Sequence, residues 1–223
     1  MRVIVTGSEG LIGKEVVKYL EKEGYKVVHC DIFLEPEFDM SDETYAKAFF
    51  HDNHAEALVN CFAYNPQLPS PNLLNQSLEG FKKHMDINLT SLFLVCREFA
   101  KNNKYGSIVN FSSTYGVVSP RMDLYGKDYG KDIGYSVSKA GVIMLTKQFA
   151  THLAPNIRAN CIVPGGVQNK QDEYFQDKYS KQCPMGRMMK KNEIAPLVEF
   201  LISKKSSYCT GGVFTIDGGW TVW

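Results

Sequence analysis

The sequence predicts an α/β fold, in which a single domain spanning residues 1–223 is built on a doubly wound, mainly parallel sheet. Short β-branched apolar segments alternate with amphipathic helical segments along the chain, a pattern typical of strand–helix–strand units. The first strand leads directly into a glycine-rich turn at the start of a helix. The composition, 44% hydrophobic and 22% charged, is ordinary for one globular domain, and no repeat or linker interrupts it.

Charge and apolar run lengths exclude several classes of partner. The net charge of +1 gives no basic excess that would attract nucleic acid or an anionic membrane. No apolar run reaches membrane-spanning length, and the N-terminal residues lack the pattern of a signal peptide, so we expect a cytoplasmic protein. The six cysteines and five histidines lack metal-ligand spacing, which predicts reduced thiols, surface or hydrogen-bonded histidines and no metal site.

The first strand–helix–strand unit has the pattern of a dinucleotide-binding site. A strand at residues 3–5 is followed by the glycine turn 6–13, a helix ending at Gly24, and a second strand over Lys26–Cys30 that ends at Asp31. The glycines permit a tight turn, so that the helix N-terminus can receive a pyrophosphate.

Asp31 indicates which dinucleotide is bound. Its carboxylate is placed to accept hydrogen bonds from ribose hydroxyls, and it would repel the 2′-phosphate of NADP. Neither Ser8 nor Ile32 offers a compensating cation. We therefore predict NAD as the cofactor.

The later segments continue the alternation. Too few residues lie between Asp31 and Asp39 for a full helix, so we expect a loop that runs into a short strand near residues 38–39. A helix capped within residues 41–44 should run to about His54. Further strands are predicted at residues 57–63, 107–113, 158–163 and 212–216, and further helices through Asn88 to Lys101 and from Glu193 to Ile202.

Tyr135 and Lys139 are the strongest candidates for chemistry. Their four-residue spacing at the start of a long helix places both side chains on one face, one turn apart. An ammonium beside a phenol favours the phenolate and lowers the pKa of the tyrosine from its ordinary value near ~10. Such a tyrosine serves as a general acid/base at neutral pH.

These segments together resemble the short-chain dehydrogenase/reductase family over essentially the whole chain. The matching residues are Thr6, Gly7, Gly10, Gly13, Asp31, Asp39, Asn60, Asn88, Ser113, Tyr135, Lys139, Pro164, Gly165, Asp217, Gly218 and Gly219. The resemblance implies a Rossmann-like fold and an NAD(H)-dependent oxidoreductase that interconverts a secondary alcohol and a ketone by hydride transfer.

The resemblance also implies roles for individual residues. Tyr135 would be the general acid/base, Lys139 would tune it and hold the nicotinamide ribose, Ser113 would polarise the substrate oxygen, and Asn88 would help hold a proton-relay water. Ser112 remains an alternative to Ser113, because strand alternation does not decide between neighbours at a strand end. The implied cofactor contacts are Gly7, Ser8, Gly10, Leu11, Ile12, Gly13, Asp31, Asp39, Met40, Asn60, Tyr135, Lys139, Pro164, Gly165 and Val167.

Three features depart from the family pattern. The TGxxGxxG spacing of the turn is typical of the longer sugar-nucleotide branch of the family, whereas the rest of the chain fits the compact branch. Residues 60–63 are Asn-Cys-Phe-Ala, where compact members usually have Asn-Asn-Ala-Gly. An extra loop at about residues 115–133 separates Ser113 from Tyr135, and a loop can lengthen at small entropic cost without moving its ends.

The insertion at residues 115–133 is expected to form a polar lid over the substrate. Both of its ends meet candidate catalytic residues, its glycines give it backbone freedom, and its alternating charges disfavour a dry packed core. Loops of this kind close before chemistry begins.

The polar content of the loops indicates the substrate class. Residues 64–76, 114–134 and 166–183 should surround the substrate, and their hydrogen-bonding side chains suit a polyol better than a steroid or a long acyl chain. The chain also resembles oxidoreductases of bacterial surface-sugar and flagellin-glycan pathways. A sugar, sugar phosphate or nucleotide sugar is therefore predicted, with the alternative that these are ordinary surface loops.

Two other functions remain open from the sequence. One is a nucleotide-sugar epimerase or dehydratase that uses NAD without net redox change. The other is a non-catalytic NAD-binding regulator, which the intact Ser113, Tyr135 and Lys139 disfavour.

Two expectations concern the C-terminal third. The apolar terminus at residues 220–223 is predicted to pack at the subunit interface of a homodimer or homotetramer. Arg187 is either a contact for an anionic substrate or a structural donor to a backbone carbonyl.

Overall fold

A computed structural model describes residues 1–34, 39–66, 68–69, 73–125 and 129–223 of the chain. The strands are β1 Arg2–Thr6, β2 Lys26–Cys30, β3 Ala57–Asn60, β4 Leu68–Pro69, β5 Gly106–Phe111, β6 Tyr129–Gly130, β7 Ile157–Pro164 and β8 Val213–Ile216. The helices are α1 Leu11–Lys22, α2 Glu43–Asp52, α3 Leu78–Met85, α4 Ser91–Asn102, α5 Ile133–Leu153, α6 Glu173–Gln182 and α7 Ala195–Ile202.

Six of these strands form one parallel sheet in the order β2-β1-β3-β5-β7-β8, which confirms the predicted Rossmann-like, doubly wound architecture. From β1 the chain moves outward to the edge strand β2 and returns to β3 on the other side of β1. The register aligns Thr6 with both Cys30 and Asn60, so the three strands end side by side. The strand order therefore reverses direction at β1, and open α/β sheets bind their ligands in the crevice at the carboxyl ends of the strands beside such a reversal.

Alternation along the strands divides the core into two layers. Ile4, Leu58 and Ile108 belong to the layer covered by α2, α4 and α5. Val3 and Val59 belong to the opposite layer, which α1 and α7 cover. Helices on both faces keep the parallel sheet out of water. Among the described residues, no helix combines the length and the apolar character needed to traverse a bilayer.

Several predicted boundaries differ from the structure. Asp39 lies in no strand, and Phe38, the other residue of the predicted short strand, is outside the described residues. Helix α2 begins after Asp42, whose carboxylate caps it, and ends at Asp52 instead of His54. Strands β3 and β5 end slightly earlier than predicted, because the chain there leaves the sheet to form the walls of a cleft.

The predicted long helix through Asn88 is divided in two. Helices α3 and α4 are joined by a π-helical turn over Asp86–Thr90, and the hydroxyl of Ser91 donates to the carbonyl oxygen of Asp86 at 2.9 Å. Hydrophobic periodicity does not reveal such a turn. Turns of this type occur frequently at functional sites, and this one places Asn88 against the loop that begins at Tyr64.

A small apolar cluster connects the insertion to α6 and to the C-terminus. Leu124 of the insertion packs with Tyr179 of α6 and with Trp220. The rings of Tyr179 and Trp220 are stacked, with centroids 4.3 Å apart and 4° between their planes. The prediction that the insertion would not contribute to a packed core was therefore wrong, and Trp220 is buried within its own chain instead of at a subunit interface. Val222 and Trp223 are exposed, and their place at a subunit interface stays a prediction.

The two C-terminal tryptophans should differ sharply in their contribution to stability. We expect Trp220→Ala to lower the free energy of unfolding by about 3–5 kcal/mol, because it leaves a cavity against Tyr179. Trp223→Ala, the control, removes a side chain that is 78% exposed and should change stability by no more than about 0.5 kcal/mol. Urea unfolding measures both, and equal losses would contradict this packing.

Candidate active site

A cleft of about 1030 Å³ opens where the sheet strands have their carboxyl ends. Its walls are the glycine turn, the residues after β2, β5 and β7, the insertion and α6. The predicted site residues that line it are Gly7, Gly10, Leu11, Ile12, Asp31, Asp39, Met40, Ser113, Tyr135, Lys139, Pro164, Gly165 and Val167. The structure thus brings the predicted nucleotide turn and the predicted reactive side chains into one cavity.

Four predicted site residues, Ser8, Gly13, Asn60 and Asn88, lie behind this lining. A Cβ on Gly13 would stand 2.0 Å from the carbonyl oxygen of Gly7, so the absence of a side chain allows α1 to pack against the turn. The Asn60 side chain bonds to Thr6 and Asn110 of the sheet and to the thiol of Cys96 on α4. The buried Ser8 hydroxyl has no hydrogen-bond partner among the described residues. These side chains support the cleft from behind.

The glycine turn leaves the N-terminus of α1 open to the cleft. Gly7 has φ of +69°, and a Cβ there would come within 2.4 Å of the Phe62 nitrogen, so only glycine fits. Gly10 caps α1 without a side-chain hydrogen bond, and Leu11 and Ile12 line the cleft. The first N–H groups of a helix have no partner within it, and the helix dipole favours an anion there. The turn therefore fits the pyrophosphate of a dinucleotide.

Backbone N–H groups hold Asp31 beside this turn. Its Oδ2 accepts from the N–H of Glu9 at 2.8 Å, and its Oδ1 accepts from the N–H of Phe33 at 3.0 Å. The carboxylate is buried but borders the cleft, and each oxygen retains capacity for a further hydrogen bond. The adjacent Ile32 is half exposed and uncharged. This arrangement suits a pair of ribose hydroxyls.

The two neighbouring serines at the end of β5 have different environments. The hydroxyl of Ser112 donates to the carbonyl oxygen of Lys139 at 2.7 Å and is buried. The Ser113 hydroxyl accepts from the N–H of Tyr115 at 3.2 Å, and its interaction with the phenol of Tyr135 lowers the pKa of that tyrosine. Ser113 is therefore the serine whose hydroxyl is positioned beside the phenol.

Burial controls the proton affinities of the Tyr135 and Lys139 pair. The Lys139 ammonium donates to the carbonyl oxygen of Phe111 at 2.8 Å, and burial lowers its pKa to about 8. Burial raises the pKa of Tyr135, and the Ser113 side chain opposes this shift. Lys139 Nζ lies 5.9 Å from the centroid of the Tyr135 ring. The expectation that Lys139 depresses the pKa of Tyr135 was therefore wrong for this structure, because the loss of hydration dominates.

Lys131 is a functional candidate that was not singled out from the sequence. Its Nζ lies 4.0 Å from the centroid of the Tyr135 ring, closer than that of Lys139, and it donates to Asn65 Oδ1. Burial lowers the pKa of Lys131 to about 8. The available signal was spacing, since Lys131 precedes Tyr135 by the same four residues that separate Tyr135 from Lys139. It was assigned to the insertion, where helical spacing has no meaning.

Asn88 and His84 support the wall that faces Tyr135. Asn88 Oδ1 accepts from the N–H of Tyr64 at 2.6 Å, and its Nδ2 donates to the Tyr64 carbonyl oxygen at 3.0 Å and to Ser138 Oγ at 3.1 Å. The His84 ring contacts the rings of both Tyr64 and Tyr135, with centroids 4.8 and 6.4 Å away. His84 is only 1% exposed; its Nδ1 bonds to the Gly80 carbonyl oxygen at 2.9 Å, as expected of a hydrogen-bonded histidine, whereas its Nε2 has no partner among the described residues.

Arg187 has the structural role that was one of its two alternatives. Its guanidinium forms a two-pronged ion pair with Glu193, at 2.6 and 2.8 Å, and donates to the carbonyl oxygen of Met188 at 3.1 Å. It does not line the cleft.

Comparison with known proteins gives matches over the whole chain. A family model described as enoyl-(acyl carrier protein) reductase matches residues 1–221. The chain is 31% identical to a 3-oxoacyl-[acyl-carrier-protein] reductase of Aquifex aeolicus, covering 97% of this chain and 86% of that protein. It is 30% identical to glucose 1-dehydrogenase 2 of Bacillus subtilis, covering 99% and 94%. A short chain dehydrogenase of Leptospira borgpetersenii, solved with bound NAD⁺, matches with a TM-score of 0.87 at 30% identity, covering 99% of this chain and 92% of that one.

The buried ammonium of Lys139 should destabilise the ligand-free protein at neutral pH. Replacing it by methionine should raise the free energy of unfolding at pH 7 by about 1–2 kcal/mol, because the loss of the Phe111 hydrogen bond offsets only part of the burial cost. Between pH 8 and about 10.4 the unfolded wild type binds a proton that the folded form does not, so wild-type stability rises relative to the variant.

Urea unfolding of the ligand-free protein at pH 7 and at pH 9.5 measures the difference in free energy of unfolding between Lys139→Met and wild type. This difference should become smaller at the higher pH. Lys147→Met, an exposed position on the same helix, is the control and should show no such dependence. A difference that grows with pH would contradict the lowered pKa of Lys139.

Proposed function

The chain belongs to the short-chain dehydrogenase/reductase family, a family of oxidoreductases, and we propose that it interconverts a secondary alcohol and a ketone by hydride transfer with NAD(H). The proposal rests on one observation: Tyr135, Lys139 and Ser113 border the same cleft as an open helix N-terminus and a buried carboxylate. The nicotinamide, when bound, accepts or donates the hydride. The protein must then move one proton and stabilise the charge on the substrate oxygen.

Tyr135 is proposed to exchange that proton with the substrate. In ketone reduction its phenol donates the proton to the carbonyl oxygen, and the raised pKa of Tyr135 keeps the phenol protonated until then. In alcohol oxidation the phenolate accepts the proton from the hydroxyl, a state that requires a nearby cation such as Lys139. Ser113 is proposed to donate a hydrogen bond to the same oxygen, and Asn88 to support this wall of the site.

We propose NAD in preference to NADP. The Asp31 carboxylate borders the cleft and, if it accepts hydrogen bonds from the adenosine ribose, would repel a 2′-phosphate; Ile32 and Phe33 beside it carry no charge. The lysines among the described lining residues are Lys131, Lys139 and Lys170, all outside the segment around Asp31. Like charges brought together in this way cost several kcal/mol.

Cofactor preference should therefore depend on Asp31. We expect wild-type protein to bind NADH at least about tenfold more tightly than NADPH, and the double variant Asp31→Ser, Ile32→Arg to reverse this order. Fluorescence titration with the two reduced cofactors measures both constants. Ile32→Arg alone is the control, since it retains the repelling carboxylate, and tighter NADPH binding by wild type would overturn the proposal.

The proposed substrate is a sugar, sugar phosphate or nucleotide sugar. Polar side chains of Asn65, Lys170 and Gln171 border the cleft, and one close relative is a glucose dehydrogenase. A second candidate is a 3-oxoacyl compound, favoured by the aromatic wall of Tyr125 and Phe175 and by the similarity to a 3-oxoacyl reductase. Accumulation of NADH with a sugar panel separates a dehydrogenase from an epimerase or dehydratase, which returns its hydride.

We also propose a homodimer or homotetramer, now without Trp220 at the interface. Exposed apolar side chains on α4 and α5, among them Phe93, Val137 and Met144, are better candidates for that contact. A cytoplasmic location remains a prediction, compatible with six cysteines that form no disulfide.

Removal of the Tyr135 hydroxyl should stop turnover without disturbing the cofactor. We expect Tyr135→Phe to lower kcat by at least about 10²-fold, the ordinary contribution of a general acid/base, while the NADH dissociation constant stays within about twofold. Tyr125→Phe is the matched control, because it removes a phenol from the same cleft whose hydroxyl, among the described residues, donates to the Tyr115 hydroxyl at 2.8 Å. Comparable activity in the two variants would refute the assignment.

A further inference from the structure

Lys131 places a cation at the substrate end of the cleft. Its Nζ bonds to the neutral amide oxygen of Asn65 and lies over the ring of Tyr135, and no described carboxylate forms an ion pair with it. The carboxylate of Asp132, next in sequence, caps α5 by accepting from the N–H of Gly134 at 2.6 Å. Burial lowers the pKa of Lys131 to about 8, because the charged ammonium loses hydration there.

The backbone around Lys131 is held from two directions. Gln76 Oε1 accepts from the N–H of Ile133 at 2.9 Å, and Gln76 Nε2 donates to the carbonyl oxygen of Lys131 at 3.3 Å. The preceding strand β6 pairs antiparallel with β4 of the 64–76 loop. A long, flexible side chain is thus fixed at its base by Gln76 and at its tip by Asn65, so its ammonium occupies a defined position.

That position is adjacent to the proposed reacting centre. Lys131 Nζ lies 4.0 Å from the centroid of the Tyr135 ring and 6.0 Å from that of the Tyr115 ring. The ammonium is therefore beside the phenol that is proposed to exchange the proton. The phosphates of a dinucleotide would be held at the glycine turn, which follows β1, whereas Lys131 lies between β6 and α5. We therefore expect the cofactor phosphates to leave this charge for the substrate.

We propose that Lys131 recognises an anionic group of the substrate, a carboxylate or a phosphate attached within a few bonds of the carbinol carbon. This inference rests on the proposed function, because it places the carbinol oxygen at Tyr135. Lys170, also in the lining, adds to the positive field, whereas the carboxylate of Asp172 is engaged in capping α6 through the N–H of Phe175 at 2.7 Å. A charge-assisted hydrogen bond to a partly desolvated ammonium is among the stronger polar contacts a ligand makes.

The test uses matched substrate pairs that differ only in charge. Hydroxy acids are compared with their carboxamides, and sugar phosphates with the free sugars, with NAD⁺ at pH 7. The proteins are wild type, Lys131→Gln, Lys131→Arg and the control Lys104→Gln. Lys104 also lies over a tyrosine ring, 5.5 Å from the centroid of Tyr105, but outside the cleft.

We expect Lys131→Gln to raise KM for the charged member of a pair by about 10–100-fold and for the neutral member by less than about threefold. Lys131→Arg should retain most of the discrimination, and Lys104→Gln should behave as wild type.

A second measurement separates this inference from the proposed function. Calorimetric titration of the NADH complex with malonate and with inorganic phosphate needs no turnover, and binding that is lost in Lys131→Gln supports the site and distinguishes the two anions. Absence of NADH production with every pair would overturn the proposed function alone. Equal effects of Lys131→Gln on charged and neutral members would show that the ammonium acts on Tyr135, and would overturn the inference, as would failure of wild type to bind either anion.

Discussion

The reactive helix owes its position to a line of buried side-chain hydrogen bonds that crosses the sheet. Thr6 donates to Asn60, Asn60 to Asn110, and Asn110 to Thr146 of α5, over distances of 2.8, 2.8 and 3.0 Å. All four residues are at most 2% exposed, so any of these groups left without its partner would cost about 1–3 kcal/mol. The line begins on β1, which leads into the glycine turn, and ends on α5, which presents Tyr135. The glycine turn and Tyr135 are therefore fixed relative to each other.

Desolvation gives this rigid site its electrostatic character. In the ligand-free cleft, loss of hydration disfavours charge on the phenol of Tyr135 and on the ammonium groups of Lys139 and Lys131 alike. One of the two ammonium groups comes from α5 and the other from the insertion. The insertion therefore contributes a charged side chain to the cleft, which the prediction of a lid did not include.

The sequence was sufficient wherever a residue's role depends on near neighbours in the chain. Strand Lys26–Cys30 and Asp31 follow from one β-branched run and its end, and the Tyr135 and Lys139 pair follows from helical spacing. The failures involve contacts between distant segments. Trp220 meets Tyr179 across 41 positions of sequence, and Lys131 is held by Asn65 and Gln76 of another loop. The direction of the Tyr135 pKa was also missed, because spacing reveals a neighbouring charge but not the depth of burial.

The 64–76 loop and the insertion are joined by the two hydrogen bonds of the Gln76 side chain to the backbone of residues 131 and 133 and by the short β4–β6 ladder. Neither the 64–76 loop nor the insertion can be exchanged alone without leaving hydrogen-bonding groups of the other unmatched. In evolution and in engineering, we therefore expect a change in one loop to require a matching change in the other. In relatives with other substrates, we expect the residues at positions 65, 76 and 131 to change together.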